Sequence, residues 1–104
     1  MRRSALALWA VSLFVAQVVW AVALDPSLQE GRGLLMGFEG DSARLKLEGE
    51  ELVLPMEDPL MLDRRGAAVE RGHFEALLRR GPVPVGFLWR REGKRALLSL
   101  WELP

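Results

Sequence analysis

The chain begins with an apolar run that lacks charge. After Arg2 and Arg3, no charged residue occurs from Ser4 to Leu24. A short positive region followed by an apolar stretch is typical of an export segment, and Ala21-Val22-Ala23 matches the small-x-small pattern that signal peptidases cleave. Residues 1–23 are therefore predicted to be a signal peptide or a signal anchor.

The length of this run leaves its fate open. The 21 residues from Ser4 to Leu24 would form a helix of roughly 31 Å, long enough to cross a bilayer. Cleavage after Ala23 would release the body, whereas retention would keep membrane contact through residues 4–24; a helix buried in a soluble core is a third alternative. Under the first two, the body is periplasmic or extracellular, because the positive N-terminus stays in the cytoplasm.

The body alternates between apolar and polar positions with a period of two, which predicts β-strands. Residues 24–32 contain Pro26 and Gly31 and are predicted to be a linker, so the folded domain is placed at residues 33–104. Its first strand is expected to face inward at three alternate positions, namely Leu34, Met36 and Phe38.

A hairpin is predicted from Leu45 to Met56 with its turn at Glu48-Gly49-Glu50. On its outer face, Glu51 is expected to pair with Arg44 or Lys46. Prolines then bracket a bend before a short strand, Leu60 to Leu62, and a turn follows at Asp63-Arg64-Arg65-Gly66.

The period changes between Val69 and Arg80. Phe74, Leu77 and Leu78 have the i, i+3, i+4 spacing of a short helix, which Gly81 is expected to end. Alternation then resumes at Val83, Val85, Phe87 and Trp89, and a last strand is predicted from Ala96 to Leu103.

Five or six short strands in so small a domain must protect their edges, and closure into a barrel does so. Gly37 and Gly86, each inside a strand pattern, would suit the bends at barrel corners. The predicted fold is mainly β, a small antiparallel β-barrel of the OB or SH3-like kind with one short helix, preceded by an N-terminal hydrophobic helix.

Composition narrows the classes of function. The 104 residues allow one domain, and the absence of cysteine excludes disulfides, thiolate metal sites and a lipoprotein anchor. The net charge is zero, but Arg2 and Arg3 belong to the export segment, so the exported part has 12 basic and 14 acidic side chains, a net charge of −2. Such a charge gives no long-range attraction for nucleic acid.

Five turn and strand motifs stand in the order Gly33-Leu34-Leu35-Met36, Leu45-Lys46-Leu47-Glu48-Gly49, Asp63-Arg64-Arg65-Gly66, Leu78-Arg79-Arg80-Gly81, and Phe87 to Leu103. From Gly33 to Pro104 this layout resembles a class of small exported bacterial β-barrel domains. Some members of that class are similar to accessory proteins of type IV pilus assembly, so the resemblance implies an envelope role. Pro82 and Pro84 depart from the usual pattern.

Candidate catalytic and metal-binding residues are few. The exported part offers Ser27, Ser42, Ser99 and His73, none in a recognisable nucleophile motif, and the carboxylate pairs Glu50-Glu51 and Glu57-Asp58 are interpreted as solvated turn charges. His73 is expected to be solvated at the helix entrance. The soft ligands that could bind Cu(I) are Met36, Met56, Met61 and His73, but the two methionines at 36 and 56 fall on inward positions. We predict no enzyme activity, no cofactor and no metal.

Arginine pairs and tryptophans give the candidate interaction surface. Its residues are Arg64, Arg65, Arg79, Arg80, Trp89, Arg90, Arg91 and Trp101. If they converge, the tryptophans could stack on bases and the barrel could bind single-stranded nucleic acid. The favoured interpretation is that the arginines pair with nearby Asp63, Glu70, Glu75 and Glu92 and that the tryptophans are core residues.

These observations rank the functions. The first is a non-catalytic, exported module that binds an envelope protein as an accessory or assembly factor, with a link to pilus biogenesis. The second is a single-pass, membrane-anchored small subunit of a membrane complex, which requires a retained N-terminal segment. Binding of single-stranded nucleic acid comes third.

Overall fold

A computed structural model describes residues 26–104, so the signal segment and hydrophobic helix predicted at residues 1–23 lie outside the described part. The elements, in chain order, are β1 (Leu28–Glu39), β2 (Ser42–Leu47), β3 (Glu50–Leu62), α1 (Arg71–Leu78), β4 (Val83–Arg90) and β5 (Ala96–Glu102). The mainly β class with one short helix is confirmed. Within the described residues, no helix has the length and apolarity needed to cross a membrane.

The five strands close into a barrel in the order β1-β2-β3-β5-β4, and β4 pairs with β1. The predicted barrel is confirmed, but one pairing differs from an all-antiparallel sheet. β3 and β5 run parallel, with Leu62 opposite Trp101. Parallel neighbours need a long connection, and α1 together with β4 provides it here. Periodicity within each strand carries no information about the direction of a distant partner.

The β2–β3 hairpin forms as predicted. Leu45 lies opposite Leu52 on the inward face, and Glu48-Gly49 makes a two-residue turn. Gly49 has φ of +79°, in the left-handed region that glycine adopts without steric cost. Alternating leucines and this glycine are therefore sufficient to specify the hairpin.

The first strand begins earlier than predicted and has a different inward face. Residues 28–32, assigned above to the linker, pair with β4. The register with β2 shifts between Leu35 and Gly37, so the strand bulges there. Leu35 is completely buried, whereas Leu34, predicted to face inward, is 37% exposed. A bulge reverses the alternation locally, which a strict period of two does not anticipate.

Two glycines make room for aromatic rings. A Cβ at Gly31 would collide with the Phe87 ring, and a Cβ at Gly86 would collide with the Trp101 indole. Gly31 therefore belongs inside a paired strand rather than in a linker. Gly86 permits close packing rather than a barrel corner, which corrects its predicted role.

β3 is one bent strand, not the two predicted. The stretch Leu60 to Leu62 continues the hairpin strand after an irregularity between Met56 and Leu60. Asp58 has φ of +48° in this bulge, and Pro59 follows it. Bulges tolerate proline because the ladder is already interrupted there. The prolines thus mark a bend within a strand rather than its end.

Inward side chains of all five strands form one core, which α1 covers at one end of the barrel. Phe74 of α1 is fully buried, and Leu77 and Leu78 pack against the same core, so the predicted helical stripe is confirmed. The alternating positions of β4 are all buried as predicted: Val83, Val85, Phe87 and Trp89. Pro84 does not prevent pairing, because its carbonyl accepts a hydrogen bond from the Leu103 N–H.

Strand direction distinguishes two ends of the barrel. At the helix end, β3 and β5 finish and β4 begins, next to α1. At the loop end, β4 finishes, β1 and β5 begin, and residues 91–95 form the connecting loop. The eight residues of β4 separate the two ends by roughly 25 Å.

Candidate functional site

The residues of the candidate interaction surface do not form one patch. At the helix end lie the two pairs that follow β3 and α1, namely Arg64, Arg65, Arg79 and Arg80. At the loop end lie the cations around the β4–β5 connection, namely Arg90, Arg91, Lys94 and Arg95. The barrel wall therefore lies between these two groups, and α1 adds Arg71 at the helix end.

The two tryptophans of the candidate interaction surface are buried in the barrel. Trp89 and Trp101 are each only 5% exposed. Trp89 belongs to the main core, and the Arg95 guanidinium lies 5.3 Å from its ring centre. Trp101 packs over Gly86 in a smaller cluster with Leu62. Their expected core position is therefore confirmed, and their inclusion as surface anchors or stacking platforms is corrected.

Glu102, at the end of β5, orders the helix end. Its side chain is only 7% exposed. Arg64 Nε donates to Oε2 at 3.1 Å, and His73 Nε2 lies 2.9 Å from Oε1. Both carboxylate oxygens are therefore engaged, as a buried charged group requires. His73 is consequently half-buried and bound to Glu102, not solvated as predicted.

Sequence analysis did not identify Glu102 as a functional candidate. In the last strand it stands between Trp101 and Leu103, so it looks like a single polar position of an alternating strand. Its partners are 29 and 38 residues away along the chain, at His73 and Arg64. The signal in the sequence was a charged residue between two apolar residues at the end of a strand. The neighbouring residues do not indicate that its side chain is buried.

A groove passes along this carboxylate. Two cavities of about 320 and 240 Å³ share Arg64, Leu77 and Glu102 in their walls. The larger is also lined by Arg80 and by the apolar side chains of Pro82, Val83, Pro84 and Leu103. The smaller extends to Asp63, Arg65 and His73. We call the combined surface the Glu102 groove.

The arginines of the Glu102 groove retain hydrogen-bond donors that face solvent. Arg64 uses its Nε on Glu102, and its side chain is 64% exposed. The side chains of Arg65 and Arg80 form no ion pair or hydrogen bond with any residue from 26 to 104. Arg79 is also exposed, but it lines neither cavity. Three of the four predicted arginines therefore meet at the groove.

Two of the acidic neighbours expected to neutralise these arginines, Asp63 and Glu75, bond other groups instead. Asp63 Oδ1 accepts hydrogen bonds from the backbone N–H groups of Arg65 and Ala67, which closes the predicted turn. Glu75 pairs with Arg71 one helical turn away. The expected pairing is therefore wrong for the free arginines of this end, because helix and turn geometry direct these carboxylates to other donors.

Charges at the loop end are arranged differently. Lys94 Nζ lies 2.7 Å from Glu57 Oε1, and this hydrogen bond lowers the pKa of Glu57 below its ordinary value. Arg91 Nη1 donates to Gln29 Oε1 at 3.3 Å. The Lys94 side chain is 80% exposed, so this pair is surrounded by water and screened by salt.

The β2–β3 hairpin and the turn before it form an acidic counterpart. Residues 39–58 contain seven acidic side chains and two basic ones, a net charge of −5. The acidic residues are Glu39, Asp41, Glu48, Glu50, Glu51, Glu57 and Asp58. Arg44 bonds both Glu39 and Glu51, mainly the latter, and this raises the pKa of Arg44. The predicted partner of Glu51 is thus Arg44 rather than Lys46.

The candidate catalytic and metal-binding residues are dispersed. Ser42 lies in β2 opposite Pro55, and Ser99 is buried in β5 opposite Leu60. Met61 is a core residue, whereas His73 faces Glu102. Within residues 26–104, no group of three or more histidine, cysteine, aspartate or glutamate side chains is arranged to hold a metal ion.

Comparison with known proteins gives no relative for this chain. No protein-family model matches it, and neither a curated protein nor a solved structure shows significant similarity. Inference about function therefore rests on the geometry of the chain itself.

Proposed function

We propose that this chain is a non-catalytic binding module, exported across the cytoplasmic membrane, that holds another protein of the cell envelope as an accessory or assembly factor. The observation that carries the proposal is the Glu102 groove. It presents arginine donors beside apolar walls, a combination enriched in protein–protein interfaces.

The shape of the groove supports binding rather than chemistry. Its larger cavity of about 320 Å³ is near the lower limit of roughly 300–1,000 Å³ for small-molecule sites. The barrel interior is filled by the main core, so the surface is the place where a ligand would bind. A partner that contributes a short segment to the groove fits these dimensions.

We further propose that the barrel is of the OB kind. Five strands, closure of the sheet and a helix between the third and fourth strands favour this assignment over an SH3-like barrel. OB barrels also include binders of single-stranded nucleic acid, but burial of Trp89 and Trp101 removes the aromatic platform that such binding uses. The net charge of −2 also favours a protein partner.

We also propose a specific pathway for this module, pilus biogenesis. A link to pilus biogenesis rests on the turn motifs that resemble exported barrel domains. The runner-up, an anchored subunit of a membrane complex, rests on the uncharged run from Ser4 to Leu24. Analysis of the chain's N-terminus in isolated envelopes separates the two. A mature chain that starts at Leu24 supports the free module, and an intact Met1 in the membrane fraction supports the anchored subunit.

The test of the main proposal is crosslinking and pull-down from the native envelope with the full chain. We expect a reproducible partner whose recovery falls when Arg80→Glu places a negative charge in the groove. Arg79→Glu is the matched control, because it makes the same charge change at the neighbouring position outside the groove. Recovery of the wild-type chain always alone would contradict the proposal.

A further inference from the structure

We propose that the Glu102 groove recognises the carboxylate side chains of an acidic peptide segment in the partner protein. This inference rests on the proposed function and specifies the chemistry of the partner. It is carried by the juxtaposition, in one cavity, of two arginines with free donors and an apolar wall.

Arg64 and Arg80 both line the larger cavity. Arg64 donates from its Nε to Glu102 Oε2, and its Nη groups bond no residue from 26 to 104. Arg80 lines the same cavity and has all five of its N–H donors available. A planar guanidinium binds a carboxylate through two parallel hydrogen bonds, and lysine cannot reproduce this arrangement.

Two acidic residues, Asp63 and Glu102, already line the groove. Asp63 Oδ1 accepts two backbone N–H groups, and both oxygens of Glu102 are bonded. These hydrogen bonds offset part of the repulsion that the two carboxylates exert on an incoming anion. Against these two negative charges stand three positive ones, on Arg64, Arg65 and Arg80. These five side chains, with His73 left uncounted, thus carry one excess positive charge, which favours an anion.

The apolar part of the cavity favours an anion that belongs to a peptide. One wall of the cavity is formed by apolar side chains, including Pro82, Pro84 and Leu103. A phosphate group has no apolar portion to bury there, whereas the methylenes of glutamate and the neighbouring residues of a peptide do. A nucleic acid would in addition need exposed aromatic rings, and both described tryptophans are buried. An acidic peptide segment satisfies the arginines and the wall together.

The experiment measures fluorescence anisotropy of a labelled peptide, capped at both ends and built from Glu, Asp, Leu and Pro, during titration with the full chain. A second peptide with Gln and Asn in place of Glu and Asp is the uncharged probe. We expect saturable binding of the acidic peptide, weakened by salt, and at least about tenfold weaker binding of the uncharged probe. Equal affinity for the two peptides, or no binding of the acidic peptide at about 1 mM, overturns the inference.

Variants locate the site. Arg80→Ala is expected to weaken binding about tenfold, whereas Arg79→Ala changes it by less than about twofold. Arg80→Lys keeps the charge but loses the planar fork, so its affinity should lie between those of the wild type and the alanine variant. Equal losses for Arg79→Ala and Arg80→Ala would mean unspecific attraction and overturn the inference. Unchanged thermal unfolding of all three variants shows that the differences arise from binding.

Other occupants give other results. A second copy could present its acidic segment 39–58, and concentration-dependent dimers that Arg80→Ala abolishes would overturn the assignment to another protein. If a single-stranded oligonucleotide displaces the labelled peptide at a lower concentration than the unlabelled acidic peptide does, the assignment to a protein partner is also overturned.

Failure of this inference is separable from failure of the proposed function. If the envelope pull-down recovers the same partner with wild type and Arg80→Ala, the inference fails and the binding module stands. If the wild type recovers no partner, the proposed function fails even when the acidic peptide binds.

Discussion

Both ends of the barrel carry groups of cationic side chains, but the two groups are held in different ways. At the helix end, buried Glu102 holds Arg64 and His73 at fixed positions. At the loop end, the ion pair between Lys94 and Glu57 is exposed to water. Exposed pairs are weak and screened, whereas a buried carboxylate requires its partners. The arrangement of the helix end therefore depends on one buried acidic residue more than on the number of arginines around it.

The two ends of the barrel also differ in the residues that cover the core. The helix end is closed by α1, whose Phe74 is fully buried, whereas the loop end is closed by wall residues such as Trp89. The Trp89 indole N–H has no hydrogen-bond partner among the described residues. Because Leu77 of α1 lines both cavities of the Glu102 groove, loss of the helix contact should affect the groove directly.

The largest effect is expected from Phe74→Ala. Loss of this buried ring should lower the free energy of unfolding by about 3–5 kcal/mol, from lost transfer energy and the cavity left behind. Urea unfolding measures this change. In hydrogen exchange, amides of α1 and the Glu102 groove should lose more protection than the strand-paired amides of residues 28–30 at the loop end. Equal loss of protection at both ends would contradict the contrast.

A smaller effect is expected from Gly86→Ala in the wall between the ends. The new Cβ meets the Trp101 indole, so the ring or the strand must move, at a cost of about 1–3 kcal/mol. Gly37→Ala is the matched control, because a Cβ there meets no atom within 4 Å. Thermal unfolding of the two variants gives the comparison. Similar Tm values would show that Trp101 does not require close approach to Gly86.

The groove itself is tested by Glu102→Gln. The neutral amide keeps the size of the side chain but loses the charge-assisted bonds to Arg64 and His73, at a cost of about 1–2 kcal/mol. Glu75→Gln is the control, since its exposed pair with Arg71 should contribute only about 0.3–0.5 kcal/mol. Urea unfolding measures both variants. A cost no larger than that of Glu75→Gln would mean that Glu102 does not order the helix end.

The smallest effect is expected from the exposed pair at the loop end. Because Lys94 lowers the pKa of Glu57 in the folded chain below its ordinary 4.5, the pair stabilises the fold above that pH. This contribution is lost as the pH falls through the lower, folded pKa. Lys94→Gln should therefore reduce Tm slightly at pH 6 and leave it unchanged at pH 2. An equal Tm change at both values would exclude the titration of Glu57 as the cause.

Much of the local structure could be predicted from the residues alone. The alternating leucines around Gly49 predicted the β2–β3 hairpin, and the spacing of Phe74, Leu77 and Leu78 predicted α1. Both patterns express the separation of side chains between core and water within one element. The bulge that buries Leu35 in place of Leu34 was not predicted. Leu34, Leu35 and Met36 are all apolar, so the residues themselves do not show where the inward face changes.

Tertiary structure decided the rest. The residue pattern was enough to predict the mainly β class, the β2–β3 hairpin, the short helix and closure of the sheet into a barrel. It did not determine that β3 and β5 run parallel, that glycines seat aromatic rings, or that the arginines separate into two groups. The Glu102 groove depends on contacts between residues 29 and 38 positions apart. Such contacts arise only when the closed sheet brings the ends of three distant elements together, and no local periodicity encodes that meeting.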